Sequence, residues 1–208
     1  AVLILDDEIG SLNISNNIIE EKLLEIESMT NYMSRTIDDF KNFFKVDKVK
    51  KKIILSNTFE KIFKLISSQF KTADISVIKN IDNIVLEGME NELIQVFINI
   101  LNNARDELIK NKKEKKFLFI TARKSSDFIE VCIKDNAGGI PIEIIDKIFE
   151  SHFTTKEESK GTGIGLYMSK MIIEEHIKGT ISVENIHFTH EDIDYTGAQF
   201  KLILPINW

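Results

Sequence analysis

Residues 135–166 carry the pattern that decides the fold: DNAGGI at 135–140, FESHFTTKEESK at 149–160 and GTGIGL at 161–166. Two glycine clusters flank a polar segment, and the second runs into an apolar-periodic helix marked by Leu166, Met168, Ile172 and Ile173. Glycine lets backbone N–H groups approach an anion with no Cβ in the way, and a helix start adds partial positive charge. That is phosphate-binding chemistry, although a single glycine-rich loop is equally compatible with a tight turn.

Upstream lies NELIQVFINILNNARDELIK, in which Leu93, Val96, Phe97, Ile100, Leu101, Ala104 and Leu108 recur at helical spacing and predict a helix over residues 90–110 with one buried face. Asn99 and Asn103 stand one turn apart on the same side. Amides on an otherwise apolar helix are unfavourable unless they have partners.

Taken in order, NxxxNA, DxAxG, FxxxF and GTGIGL resemble the N, G1, F and G2 boxes of sensor histidine kinases, whose ATP-binding domain belongs with gyrase, Hsp90 and MutL. The resemblance runs from about Lys52 to the end of the chain. It implies a Bergerat-type α+β fold, a two-layer sandwich of a mixed sheet on three helices, with ATP and Mg2+ as cofactors.

Composition is compatible with this. The chain has 208 residues, 43% hydrophobic and 29% charged, with a net charge of −6, enough for one sizeable domain plus a small helical element. An acidic surface repels a nucleic-acid duplex unless a basic patch overrides it, and the lysines of residues 45–52 read as a solvated hinge, so no nucleic-acid partner is expected. Cys132, the one cysteine, cannot form an internal disulfide and lies in the apolar run FIEVCI, the signature of a core thiol in a reducing, cytoplasmic compartment. No apolar run reaches membrane-spanning length, so no membrane contact by this chain is expected, an anchor elsewhere in a longer protein being compatible with that. The start at Ala1 without methionine suits a fragment.

The opening VLILDDE is similar to the first strand and acidic pair of a response-regulator receiver, but no room remains for such a domain before the later motifs. Residues 1–44 are expected to be a partial dimerisation and histidine-phosphotransfer hairpin, mainly its second helix. Ile19, Leu23, Ile26, Thr30, Met33, Ile37, Phe40 and Phe44 alternate steps of four and three, the seam of a bundle, and YMSRTIDDFKNFF resembles that second helix in sensor kinases. Residues 45–52 form a lysine-rich linker and residues 53–208 the catalytic domain. Within it, Ser56 or Asn57 is expected to cap a helix, a short helix is expected after Pro141, and residues 185–195 are expected to be a polar insert between closing strands.

The resemblance implies a role for each matching residue. Asp135 accepts a hydrogen bond from the adenine amino group, and Gly139 leaves space for the ring. Ala137 departs from the family, where many members carry glycine. Asn103 offers its amide oxygen to Mg2+, one neutral ligand being sufficient because the triphosphate supplies the charge. Gly161, Thr162, Gly163, Ile164, Gly165 and Leu166 line the phosphates, while Lys156 and Lys160 are the cations nearest to them. Phe149 and Phe153 anchor a lid over residues 154–160. Asn102, Asp106 and Glu107 read as solvent-facing.

Asn99 discriminates between relatives. Hydrolysing members carry a glutamate there that activates water, whereas an amide has no titratable base and can only orient. That suits transfer of the γ-phosphate to a histidine, with a response-regulator receiver downstream and a homodimer formed through the bundle helices. An ATP-hydrolysing clamp and a noncatalytic nucleotide-binding module are the rivals. A dinucleotide site fails, because no strand directly precedes the glycines and Leu166 stands where a third glycine is needed. His152, His176, His187 and His190 show no metal or acceptor pattern.

Overall fold

A computed structural model describes residues 18, 19, 21–24, 26, 27, 30, 50–111, 114–156 and 162–208. The described residues between 18 and 30 are helical and exposed. The rest of the expected bundle helix and residues 45–49 of the linker lie outside the described residues.

A short strand, β1 (Lys51–Ile54), leads into α1 (Leu55–Thr72), followed by β2 (Ile75–Ile81), β3 (Val85–Gly88) and α2 (Glu90–Lys110). Next come β4 (Lys116–Lys124) and β5 (Phe128–Asp135), α3 (Gly165–Met171) continuing as a π-helical turn (Ile172–His176), then β6 (Thr180–His190) and β7 (Ile193–Pro205). β1 pairs antiparallel with β3, while the main sheet runs β2-β4-β5-β7-β6. Among the described residues only its β2–β4 pair is parallel.

Alternation explains which face is covered. Leu118, Ile120 and Ala122 of β4 and Ile129, Val131 and Ile133 of β5 are buried in one core with Phe59, Ile62 and Ile66 of α1 and Val96, Phe97 and Ile100 of α2. The rings of Phe59 and Phe97 stack at 4.6 Å, joining the two long helices. Aromatics on the alternate positions meet instead on the opposite face of the sheet. Phe117 packs edge-on against His190 and Tyr195, and Lys134 Nζ lies 3.8 Å from the Phe188 ring centroid.

Three local expectations are corrected. α1 begins at Leu55 with Ile54 as its N-cap; isoleucine offers no side-chain acceptor, and the N–H of Leu55 donates to the Ile84 carbonyl at 3.0 Å. The segment after Pro141 forms successive turns rather than a helix, with bonds such as Lys147 N–H to the Ile144 carbonyl at 2.9 Å. The expected insert at 185–195 is strand: β6 and β7 stay paired from Thr180↔Ile203 to His190↔Ile193. Glu191 and Asp192 close that hairpin with φ of 50° and 60°, the doubly left-handed turn that matches strand twist.

Candidate functional site

One face of α2, the end of β5, the turns after Pro141 and the start of α3 enclose a cavity of about 440 Å3, within the range of small-molecule sites. Among the residues singled out in the sequence, Asn99, Asn103, Asp135, Gly139, Lys156, Thr162, Gly163, Gly165 and Leu166 line it. Ile164 is buried just behind. Lys160 and Gly161 lie outside the described residues.

Asp135 ends β5 and is only 4% exposed. Its Oδ1 accepts from the N–H of Ala137 at 2.8 Å and from that of Ala198 at 3.2 Å, which fixes the carboxylate at the cavity wall. The second donor comes from β7, whose approach depends on Gly197: a Cβ there would stand 1.7 Å from the Asp135 carbonyl oxygen. Gly138 and Gly139 follow with φ of 98° and 87°, left-handed conformations that turn the chain away from β5. Asn185 then clamps the loop, accepting from Ile140 N–H and donating to the Ile140 carbonyl, each at 2.7 Å.

Asn99 couples α2 to the second glycine cluster. Its Nδ2 donates to the Gly165 carbonyl at 3.1 Å and to Ser169 Oγ at 3.3 Å, and Ser169 Oγ donates to the same carbonyl at 2.9 Å. Thr162 Oγ1 accepts from the Ile164 N–H at 3.3 Å, bracing the approach to α3. Phe153 lines the cavity, and both Phe149 and Phe153 pack on the core.

Asn103 Oδ1 accepts a hydrogen bond from Lys156 Nζ at 3.1 Å. An ammonium thus already stands where a hard cation would meet that oxygen, so an oxygen-preferring ion such as Mg2+ fits the donor present. Among the described residues no group of three His, Cys, Asp or Glu could hold a metal, so such an ion would depend on phosphate oxygens. Asp106 departs from its expected solvent-facing role. It lines the cavity, pairs with Lys156 Nζ through Oδ2 at 2.7 Å and takes Arg105 on Oδ1. Asn102 also lines the cavity and accepts from Arg105 Nη1 at 3.0 Å.

Gly197, Ala198 and Arg105 are not singled out in the sequence, and Asp106 is assigned there to solvent. The only available signal was the short spacing of Asp106 from Asn103.

The model of the family described as histidine kinase-, DNA gyrase B- and HSP90-like ATPase matches residues 88–207. The chain belongs to that family. Within it, the similarity is to sensor histidine kinases. The two-component sensor PprA of Pseudomonas aeruginosa is 37% identical over 125 residues, covering 59% of this chain and 13% of the relative. Sporulation kinase A of Bacillus subtilis is 35% identical over 124 residues, covering 60% and 18%. The chain therefore spans under a fifth of either. The nucleotide-free catalytic domain of histidine kinase ThkA superposes with a TM-score of 0.63 at 26% identity, covering 77% of this chain and 99% of that one. The five-stranded mixed sheet with its helices is the fold of that domain.

Proposed function

We propose that this chain is the catalytic portion of a sensor histidine kinase, binding Mg-ATP in the cavity and transferring the γ-phosphate to a histidine nitrogen for relay to a response-regulator receiver. Asp135 reads the adenine amino group, Gly139 leaves room for the ring and Asn103 holds Mg2+. Backbone amides from Gly161 to Leu166 line the phosphates, with Lys156 and Lys160 adding positive charge. Mg2+ supplies neutralisation of the β- and γ-phosphate oxygens, and the protein contributes position. Residues 1–44 supply part of the dimerisation hairpin, residues 45–52 the hinge and residues 53–208 the catalytic domain, in a cytoplasmic location and as a homodimer in the full-length protein.

The observation that carries this reading is Asn99. Its Nδ2 is committed to Gly165 and Ser169, and an amide cannot accept the proton of an attacking water. Hydrolysis therefore lacks its base, while transfer to a nucleophile brought from elsewhere does not need one there.

On this reading none of His152, His176, His187 and His190 is the acceptor. His176 Nδ1 is 2.9 Å from Glu92 Oε1, His187 Nδ1 is 2.9 Å from Thr196 Oγ1, and the His190 ring packs between Phe117 and Phe119. Incubation with γ-labelled ATP should leave the 208-residue chain unlabelled. A longer form carrying the first hairpin helix should gain label that acid removes and base spares. Acid-labile label on this chain alone would overturn the assignment.

A further inference from the structure

One ammonium joins two oxygens in the cavity. Lys156 Nζ lies 3.1 Å from Asn103 Oδ1 and 2.7 Å from Asp106 Oδ2, two side chains about one turn apart on α2. The carboxylate is held for that contact. Arg105 grips its other oxygen, Oδ1, through Nη2 at 2.7 Å and Nε at 3.0 Å, which turns Oδ2 toward the cavity. Arg105 is itself anchored, donating through Nη1 to Asn102 Oδ1 and to Gln69 Oε1. With the side chains of Lys156 and Asp106 only 27% and 32% exposed, the pair is partly withdrawn from water, and its attraction is correspondingly stronger than that of a surface pair.

We propose that Asn103 Oδ1 and Asp106 Oδ2 form a single cation seat, that Lys156 occupies it as a built-in stand-in, and that the divalent ion accompanying the nucleotide must displace it. The inference rests on the assignment of Asn103 to the metal. Two positive charges cannot share two oxygens at these distances without strong repulsion. A divalent ion wins because it carries twice the charge and prefers hard oxygen ligands, and Asp106 gives the seat the negative charge that Asn103 lacks. Lys156 therefore lowers the advantage that Mg2+ confers on nucleotide binding, since in its absence the ammonium already does part of the neutralisation.

The measurable quantity is the ratio of the dissociation constant for a nonhydrolysable ATP analogue in chelator to that in saturating Mg2+, obtained by calorimetry on the 208-residue chain. Lys156→Met should raise the ratio about fivefold, weakening metal-free binding by loss of the neutralising ammonium and tightening binding in Mg2+ by loss of the competitor. Lys156→Gln is a second neutral variant, and thermal melting confirms that both are folded. Asp106→Asn should lower the ratio, and Asn103→Ala should bring it close to one. A ratio unaffected by Asn103→Ala overturns the metal assignment itself. If Asn103→Ala abolishes the metal effect while both Lys156 variants leave the ratio unchanged or lower it, the assignment stands and the stand-in is overturned.

Discussion

Asp135 has two backbone N–H donors, from Ala137 and Ala198, both directed at Oδ1. In Asp135→Asn, the side chain can keep a carbonyl oxygen toward those amides only by turning its NH2 group toward the cavity, so that a donor would face the adenine amino group proposed to bind there. The variant should bind ATP at least about tenfold more weakly, the loss of a charged acceptor being about 1.5 kcal/mol or more, with little change in melting temperature. GTP should bind the parent poorly. Equal ATP affinity in the two proteins, by calorimetry, would remove adenine recognition from Asp135. This residue was legible in the sequence because a carboxylate before paired glycines is a local pattern. Gly197 was not, since its purpose is visible only once β7 lies against β5 and its missing Cβ clears the Asp135 carbonyl. Asp106 was misread for a related reason. Helical spacing alone turns it away from the apolar stripe, and its half-buried environment depends on Lys156 arriving from a distant loop.

The long helices and central strands were legible because period and burial agree in them. α2 matches the predicted 90–110, its apolar positions buried in the core. Residues 185–195 misled because no residue of β6 from Asn185 to His190 is fully buried, so polar residues dominate the pattern there, and the turn uses Glu191 and Asp192 rather than a glycine pair. Element junctions depend on groups far apart in sequence, and Glu90 illustrates this. At the first turn of α2 its carboxylate accepts from Thr58 at 3.0 Å and Lys61 at 2.8 Å and pairs with Lys51 at 3.3 Å. Burial pushes its pKa upward, but the hydrogen bonds from Lys61, Thr58 and Lys51 outweigh that and hold it below the ordinary value. A depressed folded pKa means stability that is present above the unfolded value and lost as pH falls through the folded one. Glu90→Gln should therefore cost about 1–3 kcal/mol in urea unfolding near neutral pH, with the difference from the parent shrinking in acid. A pH-independent difference would show that the contribution of Glu90 is not electrostatic.

Across the whole molecule, the sheet order follows from where the chain must return. The parallel β2–β4 pair requires a crossover, and β3 and α2 lie within it, placing α2 over the sheet with its asparagines facing the cavity. The last residues then close the small β1–β3 sheet. Glu87 N–H donates to the Ile206 carbonyl at 2.8 Å, Trp208 N–H donates to the Glu87 carbonyl at 3.2 Å, and the indole lies against Gly88, where a Cβ would come within 2.3 Å of the ring. Trp208 is the chain's one tryptophan and is 9% exposed. The chain thus carries one indole, which can be excited selectively at the red edge of its absorption apart from the three tyrosines, seated where residues distant in sequence meet, immediately before the helix that lines the cavity. Its emission should be blue-shifted in the native state and move to the red when residues 206–208 detach from β3. Denaturant-dependent emission can be compared with far-ultraviolet circular dichroism. If the red shift precedes the loss of helix signal, this closure releases before the sheet does; coincident transitions would make the closing contact part of one cooperative unit.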